Sequence, residues 1–315
     1  ERYPDVNRDI NAQIFTGSLI MNWTGHGNEQ NWAQERVLGV DDINSWTNFD
    51  KLPLFITATC SFSRYDNPER TSAGELILLN PQGGGIGLVT TVRIVYSFQN
   101  YVLNSNFFFK IFEPVDGRMP TMGEALTAGK NSVSTSFDAI NNRKFLLLGD
   151  PALQLNYPQY QIVATEVNGT PVASGTDTLK ALAKVNIKGE IRDGGSLLSS
   201  FNGIVYPTIF DKPLTITTLE NDPATSNPYT FTEQSNVIYK GKASVTNGAF
   251  EFEFIVPKDI SYTFGNGKLS FYAENGVEDA GGYENNVIVG GASDSAANDL
   301  SGPEVSVYMN DETFV

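Results

Sequence analysis

Two patterns of hydrophobic residues divide the chain near residue 158. Before it, short apolar runs rich in β-branched residues alternate with helix-like stretches, and after it single apolar and polar residues alternate. The apolar runs of the first part cover residues 18–23, 52–59, 85–92 and 144–149. Continuous apolar runs are typical of strands that are buried on both faces of a parallel sheet covered by helices. We therefore predict an α/β domain with a parallel sheet for residues 1–158.

Helix signals lie between these runs. Ser72 and Glu75, and again Thr121 and Glu124, have the spacing of a capping box ahead of an apolar stretch. Residues 97–112 predict a third helix with five apolar residues on one broad face, namely Phe98, Val102, Leu103, Phe107 and Ile111. Strands that alternate with helices in this way favour an α/β sheet.

The second part has the period of half-buried strands. Residues 184–192 and 249–256 alternate apolar and polar positions, and Asn247–Gly248 predicts a hairpin turn just before the second stretch. Similar short stretches bring the total to about eight strands. We predict an antiparallel β-sandwich of the Ig-like kind for residues 159–290.

Both ends of the sequence suggest a piece of a larger protein. Residues 291–315 are expected to be a polar linker followed by the first strand of a truncated further domain. The first part offers only four core strands, fewer than such sheets usually have. We therefore expect the upstream part of the α/β domain to be missing from this sequence.

Composition excludes several classes of function. The net charge is −15 and no cluster of Lys and Arg occurs, so nucleic-acid partners are not expected. No apolar run is long enough to span a membrane, and the first residues lack the apolar region of a signal peptide. One cysteine excludes an internal disulfide, and one histidine with one cysteine cannot build the usual zinc sites.

No cofactor or metal is therefore predicted, although carboxylate-based structural calcium remains possible. Residues 274–285 and 293–299 are acidic. They lack the ligand spacing of an EF-hand loop, which favours solvated loops. Asp150–Pro151 follows the last apolar run, where a catalytic carboxylate could lie, but this dipeptide is more typical of a turn.

His26, the only histidine, follows the first apolar run in the sequence Thr24-Gly25-His26-Gly27. Catalytic groups gather at the carboxyl ends of parallel strands, and flanking glycines allow a close backbone approach. The N–H of Gly27 could donate to an oxyanion. The alternative is a structural or surface histidine, which is the commoner role of a lone histidine.

Cys60, the only cysteine, follows the second apolar run and precedes a polar loop. Because consecutive strands are often neighbours, His26 and Cys60 would then lie side by side. A thiol needs an adjacent base to become a nucleophile at neutral pH, and an imidazole provides one. The alternative is an inert buried cysteine in a protein without catalytic activity.

Four stretches resemble the gingipain family of caspase-like cysteine peptidases: "NWTGHGNEQNWAQE", "LFITATCSFSRYDNPERTSAGELIL", "GGGIGLVTTVRIVYS" and "LLLGDPALQL". Within that family, the sequence is most similar to the branch of type IX secretion system sortases of the Bacteroidetes. The β-rich stretches "FNGIVYPTIFDKPLTITTL" and "FIVPKDISYTFGNGKLSFYA" resemble the same branch. The resemblance implies that residues 1–158 are the C-terminal part of a caspase-like peptidase domain.

The resemblance also implies roles for individual residues. Cys60 matches the nucleophile, His26 the general base and acid, and the backbone N–H groups of Gly27 and Cys60 the oxyanion hole. The segment after the third strand matches a wall of the substrate pocket, with three candidate residues: Thr91, Arg93 and Tyr96.

The sortase branch implies a substrate class and a location. Its members cleave C-terminal secretion signals from exported cargo proteins at the outer membrane or cell surface, together with other secretion-system components. They can pass the acyl group to an amine on a surface lipopolysaccharide. Hydrolysis and transfer share one thioester intermediate, and only the attacking nucleophile differs.

The sequence departs from the family at its start. The family's catalytic domain begins well before its histidine. The upstream strands, the residue that orients the histidine and part of the substrate pocket therefore have no counterpart here, so this piece alone could lack activity. Two alternatives stay open: a non-catalytic scaffold or cargo-binding module of the secretion machinery, and a general secreted protease of the gingipain type.

Overall fold

The structure is a computed structural model that describes residues 3–133, 138–175, 177–219 and 227–293. The chain divides into two compact units, Glu1–Tyr157 and Pro158–Val315. The linker and strand that the sequence predicts for 291–315 lie, from residue 294 onward, outside the described residues, as does most of the acidic stretch 293–299.

The first unit alternates helices and strands, as the sequence predicts. Its helices are α1 (Pro4–Thr16), α2 (Val40–Ser45), α3 (Ala73–Leu79), α4 (Ser97–Ile111) and α5 (Met122–Asn131), with a 3₁₀ turn at Asp138–Asn141. Its strands are β1 (Ile20–Thr24), β2 (Asn31–Trp32), β3 (Leu38–Gly39), β4 (Leu54–Ala58), β5 (Gly87–Thr91) and β6 (Phe145–Leu148).

The main sheet has the order β1-β4-β5-β6 among the described residues. Strands β1, β4 and β5 are parallel, but β6 runs antiparallel to β5, so the expectation of a wholly parallel sheet is wrong for its last strand. Two long helices, α4 and α5, separate β5 from β6. One helix carries the chain back along the sheet and the second reverses it, so β6 enters from the end where β5 stops.

Helices cover both faces of this sheet. Alternate residues of β4 point to opposite sides, so that Leu54 and Ile56 join a core with Phe107 of α4, whereas Phe55 joins a core with Ile77 of α3. All five residues of β4 and of β5 are buried. The α/β class that the apolar runs predict is therefore confirmed.

The helix predictions hold with two corrections. Both capping boxes are formed, with Ser72 capping α3 and Thr121 capping α5. On α4 the predicted apolar face is wrong at its first residue, because Phe98 lies in the first turn and is 60 % exposed. Helices α1 and α2 have no counterpart in the sequence predictions. Within the described ranges no helix is long and apolar enough to cross a membrane.

The second unit consists of strands. They are β7 (Tyr160–Val167), β8 (Thr170–Pro171), β9 (Leu179–Ala181), β10 (Lys184–Asp193), β11 (Ser196–Leu197), β12 (Gly203–Phe210), β13 (Leu214–Thr217), β14 (Thr230–Glu233), β15 (Val237–Lys240), β16 (Ala243–Thr246), β17 (Ala249–Ile255), β18 (Gly265–Asn266), β19 (Lys268–Glu274), β20 (Asp279–Glu284) and β21 (Ile288–Ala292). A 3₁₀ turn lies at Val172–Ser174.

The hydrogen-bonded path of this unit closes on itself. It runs β10-β17-β16-β12-β19-β20-β7, and β7 then pairs with β10 again. The predicted two-sheet Ig-like sandwich is not confirmed. Strand β7 is parallel to β20 and antiparallel to β10, which joins the two ends of the path. A register shift between Lys188 and Gly189 bends β10 where it meets β7.

The alternation predicted for single strands is confirmed. Every second residue of β17 is buried, including Phe250, Phe252 and Phe254. Asn247 and Gly248 both have positive φ, 52° and 78°, in the tight turn between β16 and β17. The acidic stretch 274–285, expected to be a loop, instead contains strand β20, which pairs with β19 in full register.

Candidate active site

Two adjacent parallel strands place His26 and Cys60 at the same edge of the sheet. Strand β1 ends at Thr24, which pairs with Ala58 at the end of β4. The N–H of Gly25 donates to the carbonyl of Ala58 at 3.3 Å, so the pairing continues one step further. His26 and Cys60 each lie two residues beyond the Thr24–Ala58 pair, His26 exposed and Cys60 half-buried.

The backbone of His26 is held from two sides. Its carbonyl accepts the N–H of Ala33 at 2.8 Å and the indole N–H of Trp23 at 3.1 Å. The Trp23 ring in turn stacks on Trp32, with 5.3 Å between ring centroids. No hydrogen bond reaches the His26 imidazole from any residue that the structure describes. The loop is therefore held through its backbone, and the exposed side chain of His26 has no hydrogen-bond partner among the described residues.

Gly27 lies too close to Thr59, just after β4, and to Asn31 of β2 for any other residue to fit. A Cβ at this position would be 2.6 Å from Thr59 Oγ1 and 2.9 Å from the Asn31 carbonyl oxygen. Contacts this short do not occur in folded proteins, so a side chain would displace the loop that carries His26. Glycine at position 27 brings the two strand ends together.

The chain turns sharply after Cys60. Ser61 has a φ of 52°, in the left-handed region, and its N–H donates to the carbonyl of Arg93 at 3.1 Å. Thr91 Oγ1 donates to the carbonyl of Thr59 in a very short hydrogen bond. The thiol of Cys60 lies 3.8 Å from the carbonyl oxygen of Val95. The segment after β5 thus supports the turn that carries Cys60.

Buried hydroxyl groups link the strand ends beneath this turn. Thr57 Oγ1 donates to Thr90 Oγ1 at 2.6 Å, and Ser63 Oγ lies 2.8 Å from the same atom. All three side chains are buried. In a low-dielectric interior such a chain of hydrogen bonds is rigid, which fixes the geometry of residues 57–63 against β5.

Two backbone N–H groups at the site are available to a ligand. Asn28 and Ser61 use their N–H groups in backbone hydrogen bonds. The N–H groups of the preceding residues, Gly27 and Cys60, donate no hydrogen bond to any described residue. Both residues are partly exposed and line the same pocket. Both N–H groups are therefore available at this pocket.

That pocket has a volume of about 760 Å³ and contains three charged side chains, Glu29, Arg64 and Arg70. Arg64 Nη1 lies 3.0 Å from Glu29, and Asn67 donates to the same carboxylate at 2.8 Å. The Asn67 hydrogen bond, and then the two guanidinium groups, outweigh partial burial and hold the pKa of Glu29 below its usual value. His26 is not among the residues that line this pocket.

The three residues proposed for substrate binding lie beside this pocket, not in its lining. Thr91 is buried and bonded to Thr59. Arg93 pairs with both carboxylate oxygens of Asp66, at 3.0 and 2.6 Å, and these hydrogen bonds hold the pKa of Asp66 below its usual value. Tyr96 is exposed, with Lys144 4.6 Å from its ring centre. Their role in substrate binding stays a prediction.

Sequence reasoning missed the charged lining of the pocket. Glu29, Arg64 and Arg70 lie in stretches that carry the resemblance, but no sequence pattern indicates that they meet. The available signal was a pair of arginines within ten residues of Cys60 in a chain of net charge −15. For Asp150 the turn interpretation agrees with the structure, since its carboxylate accepts the N–H of Ala152 at 2.8 Å.

Known proteins are similar to this chain in sequence and in structure. Residues 1–156 match the family model of peptidase family C25. Among solved structures, the chain is similar to dimeric latent PorU from Porphyromonas gingivalis, with 32% identity over 65% of this chain and 20% of that chain, at a TM-score of 0.44. No curated protein sequence matches.

The chain is also similar to the Arg-specific cysteine proteinase gingipain R (RgpB), with 14% identity over 88% of this chain and 56% of that chain, at a TM-score of 0.43. The complex of Porphyromonas gingivalis RgpB pro- and mature domains gives 14% identity over 88% and 57%, at a TM-score of 0.44. The chain thus spans a fifth of the PorU chain and just over half of the RgpB chain.

The first unit matches a family of peptidases. The family match covers residues 1–156, almost the whole of the unit Glu1–Tyr157. Residues 1–156 therefore belong to peptidase family C25, the gingipain family. Because every TM-score quoted lies below 0.5, this assignment rests on the sequence match and not on the similarity of the folds.

Proposed function

We propose that this chain carries the catalytic residues of a cysteine endopeptidase, with Cys60 as nucleophile and His26 as general base and acid. One observation carries the proposal: the two residues occupy equivalent positions, each two residues beyond the Thr24–Ala58 pair of adjacent parallel strands. Reacting groups of open α/β sheets collect at this carboxyl edge. The half-buried Cys60 also opens to a pocket, which favours catalysis over a purely structural role.

The first half of the reaction forms a thioester. His26 takes the proton of the Cys60 thiol, and the sulfur attacks the carbonyl carbon of the scissile peptide bond. The negative charge that develops on the carbonyl oxygen is stabilised by the free N–H groups of Gly27 and Cys60. When the C–N bond breaks, the protonated His26 gives its proton to the leaving amine.

The second half releases the acyl group. A water molecule or an amine attacks the thioester while neutral His26 takes a proton from it. The C–S bond then breaks, and the protonated His26 returns the proton to the sulfur of Cys60. Water gives hydrolysis and an amine gives a new amide bond. The same residues therefore support an endopeptidase and a transpeptidase, and the choice depends on which nucleophile reaches the thioester.

For the substrate we propose a C-terminal secretion signal of an exported cargo protein. The support is the 32% identity with PorU and the resemblance of both units to the sortase branch. The proposed acceptor is an amine on a surface lipopolysaccharide, and the proposed location is the outer membrane or cell surface, together with other secretion-system components. Because the chain spans a fifth of PorU, each of these statements concerns the full-length gene product.

The test uses the full-length gene product and a cargo protein that ends in such a signal. Intact-mass spectrometry follows cleavage with and without an added small amine. We expect a cleaved cargo, a second product that carries the amine, and loss of both in Cys60→Ser. His26→Ala should be about 10²- to 10⁴-fold slower, the range for a general acid–base group. Asp150→Asn, a matched change in a strand-end turn, should keep full activity.

Other outcomes distinguish the alternatives. Hydrolysis without any amine product identifies a peptidase without transfer activity. Equal cleavage of proteins that lack the signal identifies a general secreted protease of the gingipain type. Binding of the cargo without cleavage, unchanged in Cys60→Ser, identifies a cargo-binding scaffold and contradicts the proposal.

A further inference from the structure

The pocket beside Cys60 has a local charge opposite to that of the whole chain. Two guanidinium groups, those of Arg64 and Arg70, and one carboxylate, that of Glu29, are the charged groups among its lining residues. The chain as a whole carries −15. A pocket with an excess positive charge in a strongly negative protein attracts anionic groups more than cationic ones.

The two arginines differ in how much of their bonding capacity is used. Arg64 Nη1 bonds Glu29 at 3.0 Å. Arg70 approaches the same carboxylate only at 3.9 Å, too far for a hydrogen bond, and its guanidinium bonds no other described residue. Its side chain is 48 % exposed. Its planar fork of N–H donors is therefore available, and such a fork is suited to a carboxylate.

Glu29 shows that this wall of the pocket accepts a carboxylate and is firmly built. Its two oxygens take hydrogen bonds from Arg64 and Asn67, and its backbone carbonyl accepts the N–H of Ala73 at 2.7 Å. An unpaired surface arginine is ordinarily only hydrated. Arg70 differs because it lines the same pocket as the nucleophile, and because a neighbouring carboxylate already occupies part of this wall.

We propose that this pocket is a subsite for a carboxylate of the peptide substrate, and that Arg70 contacts it. The proposal rests on the proposed function, since it assigns the substrate preference of the same site. Exposed Ile94, also in the lining, provides an apolar contact for the methylene groups that carry the carboxylate. The carboxylate belongs either to an acidic side chain near the scissile bond or to a peptide C-terminus.

The first experiment measures the charge of the pocket through Cys60, which is the only thiol. The full-length gene product, with any additional cysteines changed to serine, is alkylated with anionic iodoacetate and neutral iodoacetamide, and the ratio of the two rates is recorded. We expect Arg70→Gln to lower this ratio about threefold at low salt, as loss of one nearby charge should. Arg70→Lys, which keeps the charge, and Arg8→Gln, a charge-matched change on α1, should keep the ratio.

The outcomes separate this proposal from the proposed function. If iodoacetamide reacts rapidly but the ratio is the same in Arg70→Gln and does not fall with added salt, the carboxylate subsite is wrong and the nucleophile stands. If neither reagent reacts, Cys60 is closed to solvent and both proposals are wrong. The salt dependence needs no variant, so a misfolded Arg70→Gln does not remove the test.

The second experiment identifies the source of the carboxylate by protection of Cys60 from iodoacetamide. Three peptides of one sequence are compared: one with blocked ends and a glutamate, one with blocked ends and a glutamine, and the glutamine peptide with a free C-terminus. We expect one of the two anionic peptides to protect at several-fold lower concentration, and Arg70→Gln to abolish that advantage. Equal protection by all three contradicts the proposal.

Discussion

The two units of the chain bury polar side chains in different ways. Among the described residues, the second unit buries only the neighbouring pair Asp211 and Lys212, whereas the first unit buries ten polar side chains: Asn48, Thr57, Thr59, Ser63, Ser72, Thr90, Thr91, Gln99, Asn100 and Asn141. Half of these ten lie at the carboxyl ends of β4 and β5 or in the turn that follows Cys60. Polar burial in the first unit is thus concentrated where the candidate nucleophile lies.

The buried polar pair of the second unit, Asp211 and Lys212, has its hydrogen-bonding capacity satisfied. Lys212 Nζ bonds Asp211 at 2.6 Å, the carbonyl of Ser261 at 2.8 Å and that of Val289 at 3.3 Å. In the first unit, Thr59 Oγ1 is buried with no partner among the described residues. Buried polar groups of the second unit therefore satisfy one another, whereas the first unit leaves a buried hydroxyl unpaired among the described residues right beside the candidate site.

The largest loss of stability should come from breaking the buried pair of Asp211 and Lys212. Lys212→Met leaves the carboxylate of Asp211 buried without its cation, so we expect a loss of about 3–5 kcal/mol in the free energy of unfolding. Denaturant unfolding of the second unit measures it. The double change Asp211→Asn and Lys212→Met removes the stranded charge and should recover part of the loss. A single variant as stable as the parent would show that the pair is not buried as described.

A smaller loss of stability is expected where Gly27 closely approaches Thr59 at the candidate site. Gly27→Ala places a methyl group 2.6 Å from Thr59 Oγ1 and should lower stability by about 1–3 kcal/mol, the usual cost of overpacking. It should also lower the rate of peptide cleavage, because the loop that carries His26 moves. Thr59→Ala in the same chain makes room and should restore part of both. A fully active, fully stable Gly27→Ala contradicts the described geometry.

A smaller effect is expected at the pocket wall. Glu29→Gln weakens bonds to Arg64 and Asn67 and should lower stability by about 1 kcal/mol or less, since the pair is partly solvated. The pKa of Glu29 is lower in the folded protein than its ordinary value, so its contribution is complete at neutral pH. That contribution is lost as the pH falls through the folded-state value. The stability difference between parent and variant should therefore shrink in acid, which unfolding at several pH values measures.

The smallest change in stability is expected at Thr59, which we compare with Thr90 of the same unit. Thr59→Val replaces a hydroxyl that has no partner, so we expect stability to stay within about 1 kcal/mol of the parent or to rise. Thr90→Val removes a hydroxyl bonded to Thr57 and Ser63 and should cost about 1–3 kcal/mol. Thermal unfolding of the two variants side by side checks the contrast. Equal losses would mean that Thr59 has a partner in solution.

Local patterns predicted most of the elements. Apolar runs marked β4 and β5 because these strands are buried on both faces, and alternation marked β10 and β17 because each has one inward face. Strand β20, with the sequence DAGGYE, carries neither signal. Its strand conformation comes from pairing with β19 and β7, which are distant constraints that a local pattern does not contain.

The candidate site was predictable where it depends on strand order. His26 and Cys60 follow consecutive main-sheet strands, so adjacency of β1 and β4 is enough to bring them to one edge. The pocket wall was not predictable in this way. Arg64 and Arg70 meet Glu29 across 35 and 41 positions of the chain, and only the folded loop shows which of the chain's carboxylates they approach.

The most direct test of the central claim is the reactivity of Cys60 at neutral pH. Iodoacetamide is added at pH 7 to the full-length gene product, and alkylation of Cys60 is followed by mass spectrometry in the parent, in His26→Ala and in the Asp150→Asn control. We expect His26→Ala to react about tenfold more slowly than the parent and Asp150→Asn to react at the parent's rate. Equal rates in the parent and His26→Ala would show that the imidazole does not activate the thiol, and the proposed dyad would be contradicted.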